Sequence, residues 1–346
     1  MKGLLKEELI EQIKQYINNN RKTILKELNL TDDFEVKFLA QGEYNINFTI
    51  ESFPNKYVFR VNTGSQLQID NQIGYEFNSL KYLESSSVTP RVFFVDSSKL
   101  FFDYGILIME FLEGVPLDYG KDLNKAAKIF SKIHSLEIRP DNHFIIEKNI
   151  FSARINEGER LLANIWDSTI VDKKIKSFFY QFLDWAKINK DKEKYFIDNP
   201  WYVINNTEVN SHNFIIGEEN SYLIDWEKPV ISDPAQDLTQ FLSPTTTLWK
   251  TNYILSNGEK EEFFRNYING LKGEDKDIRD RVQLYTPYLY LRALGWCAYA
   301  YVEYHDPKKE IKNRDTFEKI KEYLNIDFME ELLKPYNIIR LNNSYY

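Results

Sequence analysis

The chain has 346 residues, of which 43% are hydrophobic and 28% are charged. That length allows two lobes with a core each, and the composition is typical of a soluble globular protein. The formal net charge of −8 disfavours a nucleic-acid partner, because an acidic surface repels phosphate backbones. A cationic substrate is compatible with this charge, although most acidic proteins simply present solvated acidic faces.

The sequence has one cysteine, so an intramolecular disulfide and a cysteine metal cluster are excluded. Residues 4–29 interleave charges with Leu and Ile at helical spacing, which predicts a leading amphipathic helix and not a signal peptide. Residues 285–304 are apolar enough to resemble a membrane span, but Pro287, Arg292 and Glu303 interrupt them, so a buried helix is expected. We therefore expect a cytoplasmic protein with no membrane partner.

The first third of the chain has the pattern of a small sheet with one helix. Alternating apolar and polar residues predict five strands, and a 3.6-residue period predicts a helix between the third and the fourth. The strands are 34–40, 46–52, 57–62, 91–96 and 105–111, and the helix is 69–86.

From Leu112 onward the pattern is mainly helical. The predicted helices are 122–136, 153–167, 172–190, 258–272 and 279–305, and short strands at 201–205, 213–217 and 221–226 interrupt them around a polar loop. The sequence therefore predicts the α+β class with a bilobal architecture. A small antiparallel-sheet lobe occupies residues 1–111, and a larger, mostly helical lobe occupies residues 112–346.

Three polar side chains lie in the loops of the short strands of the second lobe. Asn213 ends a polar loop, and Asp225 follows twelve residues later, after a strand. An amide and a carboxylate on neighbouring strand ends are suited to holding Mg²⁺. Glu208, five residues before Asn213, is placed to orient an acceptor hydroxyl. Acidic loop residues are usually just solvated, but this combination matches what phosphoryl transfer requires.

The first lobe offers a candidate phosphate loop and a candidate fixed cation. Gly42 lies between two strands, where its backbone could approach a phosphate closely, although a glycine in a hairpin is more often merely a turn. Strand alternation places Arg60 on the same face as Val58, and Glu76 is its candidate partner on the following helix. The Arg60–Glu76 pair either holds phosphates or is a structural salt bridge.

The second-lobe motifs resemble those of the aminoglycoside phosphotransferase and choline kinase superfamily, relatives of the protein kinases. The family's catalytic loop reads H-x-D-x-x-x-x-N, and an I-D-[WF]-E motif follows. The matching stretches are Asn206 to Asn213 and Ile224 to Glu227, with the downstream D-P-x-x-D-L element at Asp233 to Leu238. The resemblance runs from about residue 34 to residue 241.

The resemblance implies a protein-kinase-like fold, a nucleotide cofactor (ATP, with GTP not excluded), Mg²⁺ and a small-molecule hydroxyl acceptor. It also implies a role for each matching residue. In the first lobe, the implied adenine contacts are the backbones of Glu110 and Leu112, the phosphate loop contains Gly42 and Asn45, and Arg60 pairs with Glu76. In the second lobe, the implied metal ligands are Asn213 and Asp225, and the implied catalytic residues are Glu208 and Asn213. The resemblance also implies that Asp237 braces the catalytic loop.

Two departures from the family motif concern the catalytic loop itself. Glu208 stands where the family has aspartate, and Asn206 stands where it has histidine. The extra methylene displaces the carboxylate by roughly 1 Å, a scale on which misplacement can cost on the order of 100-fold in rate. Two interpretations follow: an active small-molecule kinase, or a nucleotide-binding regulatory pseudokinase.

Acceptor specificity is expected in the helical lobe. Residues Tyr288, Arg292, Trp296, Tyr299 and Glu303 share one face of the helix around 285–304, and Trp249 and Glu227 are further candidates. An aromatic face with a carboxylate suits an ammonium group through cation–π contacts, whereas the alternative is ordinary core packing. The acceptor classes that this suggests are an amino alcohol, an aminoglycoside or a similar polar compound.

Overall fold

A computed structural model describes residues 3–31, 33–42, 44–65, 69–306 and 313–338. Residues 1–2, 32, 43, 66–68, 307–312 and 339–346 lie outside these ranges.

The leading segment forms two helices, α1 (Gly3–Asn19) and α2 (Arg21–Leu28), where the sequence predicts one. The break falls at Asn20, the last of three consecutive asparagines. The Asn20 side chain donates to the Tyr16 carbonyl (3.0 Å), and its own carbonyl accepts from the amide of Thr23 (3.0 Å). Asparagine competes for backbone hydrogen bonds in this way and therefore favours helix ends over helix interiors.

An antiparallel sheet of five strands follows the leading helices. Its strands are β1 (Glu35–Gln41), β2 (Asn45–Ser52), β3 (Asn55–Asn62), β4 (Val92–Asp96) and β5 (Gly105–Glu110), in the order β1-β2-β3-β5-β4. All five strands were predicted from the sequence to within two residues at each end.

The two faces of this sheet pack against different helices. Phe59 and Ile108 belong to one apolar cluster with α1 and α2, whereas Val58 and Leu107 belong to the cluster of helix α3 (Gln72–Leu83) and the second lobe. Because alternate residues of a strand point to opposite faces, Arg60 shares the face of Val58 and points towards α3.

The second lobe contains two small sheets that carry the polar loops. One sheet has the order β10-β9-β6 and the other β7-β11-β8. Their strands are β6 (Val115–Pro116), β7 (Ile145–Ile146), β8 (Val203–Asn205), β9 (Phe214–Ile216), β10 (Ser221–Leu223) and β11 (Val230–Ser232). The loop from β8 to β9 and the loop from β10 to β11 therefore lie side by side.

Helices make up the rest of the second lobe. They are α4 (Leu123–His134), α5 (Ile150–Leu162), α6 (Lys173–Ile188), α7 (Lys194–Asp198), α8 (Ala235–Leu242), α9 (Pro244–Lys250), α10 (Asn257–Gly270), α11 (Ile278–His305), α12 (Arg314–Tyr323) and α13 (Ile326–Leu333). The second core lies among α5, α6 and α11, and Leu291 and Leu294 of α11 are fully buried there. In the part of the chain that the structure describes, none of the helices combines the length and apolarity needed to cross a bilayer.

Candidate active site

A buried ion pair between β3 and α3 faces the second lobe. Arg60 Nη1 contacts Glu76 Oε1, and Arg60 Nε donates to Asn47 Oδ1 (3.0 Å). Glu76 is 1% exposed, and among the described residues no donor reaches its other oxygen. Burial raises the pKa of Glu76 to about 7, while the charge of Arg60 opposes that rise.

The same guanidinium group reaches across to the second lobe. Arg60 Nη1 lies 3.6 Å from Asp225 Oδ1, in the loop between β10 and β11. Asp225 has a φ of 63°, a left-handed conformation that aspartate tolerates better than most residues. The Arg60 guanidinium thus lies between the carboxylate of Glu76 on α3 of the first lobe and the carboxylate of Asp225 in a loop of the second lobe.

Asp237, in the first turn of α8, supports the loop that follows β8. Its two carboxylate oxygens accept from the backbone amides of Asn206 (2.6 Å) and Thr207 (2.8 Å). Thr207 is in the left-handed region with a φ of 70°, so the turn relies on these bonds. These two hydrogen bonds hold the backbone of the loop that the family resemblance assigns to catalysis.

Asn206 connects the two polar loops to each other. Its side-chain amide donates to the carbonyls of Ile224 (3.2 Å) and Asp225 (3.0 Å), and its side-chain oxygen accepts from the amide of Glu208 (3.0 Å). Further along the same loop, the side chain of Asn213 donates to the carbonyl of Glu208 (2.5 Å). The backbone of Glu208 is therefore held on both sides.

Three carboxylates converge where these loops meet. Glu208, Asp225 and Glu227 each place one oxygen within 4.8 Å of the others. Burial and the nearby carboxylates raise the pKa of Asp225, and the same causes raise the pKa of Glu227 to about 8. Three oxygen donors at this separation, with Asn213 beside them, are the ligand set that a hard divalent cation prefers.

A comparison with protein families identifies the chain. The model of the phosphotransferase enzyme family matches residues 35–285, which is most of the chain. The chain belongs to the phosphotransferase enzyme family. A search of curated protein sequences returned no match.

Similar solved structures show the architecture of this chain. A Ralstonia eutropha protein with only a provisional description as an aminoglycoside phosphotransferase is 12% identical, with 94% of this chain and 98% of that chain covered and a TM-score of 0.66. Choline kinase from Cryptosporidium parvum is 16% identical, with 94% and 98% covered and a TM-score of 0.60. Spectinomycin phosphotransferase in complex with ADP and spectinomycin is 16% identical, with 96% and 98% covered and a TM-score of 0.59. These likenesses confirm the bilobal, protein-kinase-like fold.

The candidate phosphate loop, which contains Gly42, lies between β1 and β2. Gly42 donates its amide to the Asn45 carbonyl (2.8 Å), and a Cβ added at Gly42 would meet only that oxygen, at 3.7 Å. Packing among the described residues therefore does not require a glycine there. Glu43, which follows Gly42 in the sequence, lies outside the described residues.

Glu227, which the sequence analysis gives as a candidate acceptor contact, lies next to the start of β2. Its place among the acceptor contacts stays a prediction. Asn45 Nδ2 donates to Glu227 Oε2 (2.5 Å), and Gln72 donates to the Glu227 carbonyl. Asn45 in turn accepts from Asn62 (2.9 Å), so its side chain is engaged within the protein.

Glu110 and Leu112, whose backbones the family resemblance assigns to adenine, lie at the end of β5 and just after it. The amide of Glu110 donates to the Arg91 carbonyl (2.8 Å), so it is not available to a ligand. The Glu110 carboxylate also pairs with the Arg91 guanidinium (3.0 Å). Leu112, two residues on, is half-buried.

The predicted aromatic face of α11 separates into two groups. Tyr288 is buried and stacks on Phe151 with ring centroids 3.8 Å apart, which is core packing. Trp296 is 39% exposed and meets Trp249 edge-on, with centroids 5.6 Å apart. Tyr299 is similarly exposed, and Glu303 is half-buried in the last turns of α11. The family match ends at residue 285, so Trp296, Tyr299 and Glu303 lie beyond it.

Sequence reasoning missed one charged side chain of the site. Lys228 Nζ forms a salt bridge with Glu208 Oε1. Lys228 follows Glu227 directly, and a single lysine in a loop carries no periodic signal. The spacing from Glu208 to Lys228 becomes informative only once the two loops are known to be adjacent.

Proposed function

We propose that the protein is an ATP-dependent small-molecule kinase that transfers the γ-phosphate to a hydroxyl group. The observation that carries the proposal is the convergence of Glu208, Asn213 and Asp225 opposite the Arg60–Glu76 pair. Each element that phosphoryl transfer needs has a candidate here: a glycine loop, a fixed cation, oxygen ligands and a carboxylate near the acceptor.

The donor set fits Mg²⁺, because carboxylates that are buried or half-buried and lie within 4.8 Å of one another repel unless a cation or protons compensate them. Asp225 and the Oδ1 atom of Asn213 would hold the ion, with Glu227 as a third candidate. When bound, Mg²⁺ supplies charge neutralisation for the phosphate oxygens.

The chain's own residues account for the remaining chemistry. Arg60, fixed by Glu76, holds positive charge next to the phosphates, and the backbone around Gly42 covers them. Glu208 accepts a hydrogen bond from the acceptor hydroxyl and so directs its oxygen at the γ-phosphorus. As the new P–O bond forms, the bond to the β,γ-bridging oxygen breaks, ADP leaves, and the hydroxyl proton passes to the Glu208 carboxylate.

The acceptor is proposed to be an amino alcohol, an aminoglycoside or a similar polar compound. Support comes from the half-exposed Trp296 next to Trp249, a surface that suits an ammonium group. The names of the similar structures, choline kinase and spectinomycin phosphotransferase, add choline and spectinomycin to the first compounds to test. GTP belongs beside ATP in the same screen. A cytoplasmic location stays a prediction.

One observation favours the second candidate, a nucleotide-binding pseudokinase. Lys228 forms a salt bridge with Glu208 Oε1, so a cation of the protein already occupies part of the carboxylate that the kinase reaction would use. The two candidates differ in whether ATP is turned over and not in whether it binds.

The test compares ATP turnover with nucleotide binding in matched variants. ADP release is followed with Mg²⁺-ATP and the acceptor panel for the wild type, Glu208→Gln and Glu219→Gln, the last being an exposed acid in the β9–β10 turn. The kinase proposal expects Glu208→Gln to lose turnover while ATP affinity stays, and Glu219→Gln to behave as the wild type. A wild type that binds ATP without turning it over supports the pseudokinase.

Asp225 tests the metal site independently of the acceptor. Asp225→Ala should abolish the Mg²⁺ dependence of ATP binding measured by calorimetry, because it removes the carboxylate at the centre of the cluster. If the affinity and its Mg²⁺ dependence are unchanged, Asp225 is not a metal ligand.

A further inference from the structure

We propose that Lys228 is a positioning residue that sets the Glu208 carboxylate for the acceptor hydroxyl. This role rests on the proposed kinase function and explains how glutamate serves where the family motif has aspartate. The salt bridge joins Lys228 Nζ to Glu208 Oε1, which leaves Oε2 to accept from the acceptor.

The Lys228–Glu208 pair is shielded from solvent. The Lys228 side chain is 12% exposed and the Glu208 side chain is 27% exposed, whereas the surface pair Lys187–Glu159 is 52% and 46% exposed. Solvent and salt screen a surface pair strongly and a partly buried pair much less. The attraction at Glu208 is therefore strong enough to restrict its rotamers.

The backbone of Lys228 is itself fixed to both lobes. The hydroxyl of Thr207, in the catalytic loop, donates to the Lys228 carbonyl (3.2 Å). Pro229 follows, with a ring-restricted φ, and its carbonyl accepts from the Tyr75 hydroxyl of α3. Because the anchor is already held, the ion pair orders the Glu208 side chain at a lower entropic cost.

Glutamate needs such an anchor more than aspartate does. It has one more rotatable bond, and Asp225 and Glu227 each place a carboxylate oxygen within 4.8 Å of its own, where ionised carboxylates repel one another. Without a cation, the Glu208 carboxylate would turn away from these two groups and towards solvent. Lys228 offsets the repulsion and keeps the carboxylate at the meeting point of the loops.

Two other interpretations of the salt bridge give different outcomes. If Lys228 silences Glu208, removing the lysine should raise turnover. If Glu208 is a metal ligand for which Lys228 competes, removing the lysine should lower the Mg²⁺ concentration needed for half-maximal ATP binding. Positioning alone expects lower turnover with nucleotide and Mg²⁺ binding preserved.

The experiment measures ADP release with Mg²⁺-ATP, with water or the best compound of the panel as acceptor. Lys228→Met should lower kcat about tenfold or more, because a displacement of roughly 1 Å can cost on the order of 100-fold. KM for ATP should change by less than about threefold, since removing a transition-state contact lowers kcat and spares ground-state binding. Lys228→Arg should restore most of kcat, and Lys187→Met is the matched control that should have no effect.

A double-mutant cycle separates positioning from a general loss of structure. The shorter side chain of Glu208→Asp cannot reach Nζ, so Lys228→Met should change kcat by less than about twofold in that background. Equal losses in both backgrounds would overturn the proposal, and so would a gain of turnover or a tightening of Mg²⁺ in Lys228→Met. If Lys228→Met does not fold, Lys228→Gln takes its place in the cycle.

The outcomes for the two proposals are distinguishable. A wild type that binds ATP but releases no ADP refutes the kinase function, and the role of Lys228 falls with it. A wild type that turns ATP over while Lys228→Met and Lys228→Arg both match it refutes the positioning role alone.

Discussion

Replacing Asp237 with asparagine should destabilise the protein and disorganise the catalytic loop. The Asp237 carboxylate is 1% exposed and accepts two backbone amides, from Asn206 and Thr207, at 2.6 and 2.8 Å. Asparagine keeps the size of the side chain but replaces one accepting oxygen with an NH₂ group. One of the two backbone amides then faces a donor.

The magnitude follows from these two contacts. A hydrogen bond to a charged group contributes about 1.5–3 kcal/mol, and a buried donor left without a partner carries a penalty of similar size. Because these contributions overlap, we expect the free energy of unfolding to fall by about 3 kcal/mol. We also expect lower kcat, since Thr207 holds a left-handed conformation next to Glu208.

Urea denaturation followed by circular dichroism gives the free energy of unfolding for wild type, Asp237→Asn and a control. The control is Asp184→Asn, the same chemical change at an exposed site of α6, which should lie within about 0.5 kcal/mol of the wild type. If Asp237→Asn is as stable as this control, the loop does not depend on Asp237 and the bracing argument is wrong.

Two further outcomes follow from the site and the core. Burial and nearby carboxylates raise the pKa of Glu227 from 4.5 to about 8, so the free energy of unfolding without Mg²⁺ should fall as the pH rises between these two values. Glu227→Gln should flatten that pH dependence in melting curves recorded from pH 5 to pH 8.5. An unchanged slope in this variant would contradict the prediction. Tyr288→Ala should lower the free energy of unfolding by about 3–5 kcal/mol and leave the ATP affinity unchanged, because Tyr288 stacks on Phe151 in the core. A change in ATP affinity without a loss of stability would contradict the assignment of Tyr288 to the core.

Local patterns were sufficient to predict the sheet and the orientation of Arg60. Strand alternation depends only on neighbouring residues, so it placed Arg60 on the same face as Val58, and the structure pairs Arg60 there with Glu76 of α3. Periodicity was less informative for α11. It shows which residues share one helix face, but not how far along that face the core extends, and so Tyr288 and Trp296 were grouped although one is buried and the other is half-exposed.

Contacts between distant segments could not be derived from the sequence. Asn45 and Glu227 are 182 positions apart and meet because the start of β2 lies against the β10–β11 loop. Lys228 and Glu208 meet because two short sheets bring their loops together. Neither pair has a characteristic spacing, since the spacing depends on the length of everything folded between them.

The two departures from the family motif are explained together by the loop geometry. The side chain of Asn206 makes three hydrogen bonds: it donates to the Ile224 and Asp225 carbonyls and accepts from the Glu208 amide. It therefore fixes the loop at the point where the sequence departs from the family motif. With the Glu208 carbonyl also held by Asn213, the backbone cannot retreat to make room for a longer side chain. The Glu208 carboxylate must therefore extend further from the loop than an aspartate would. Lys228 lies at the end of that extension, so the longer carboxylate and the cation that holds it form one arrangement.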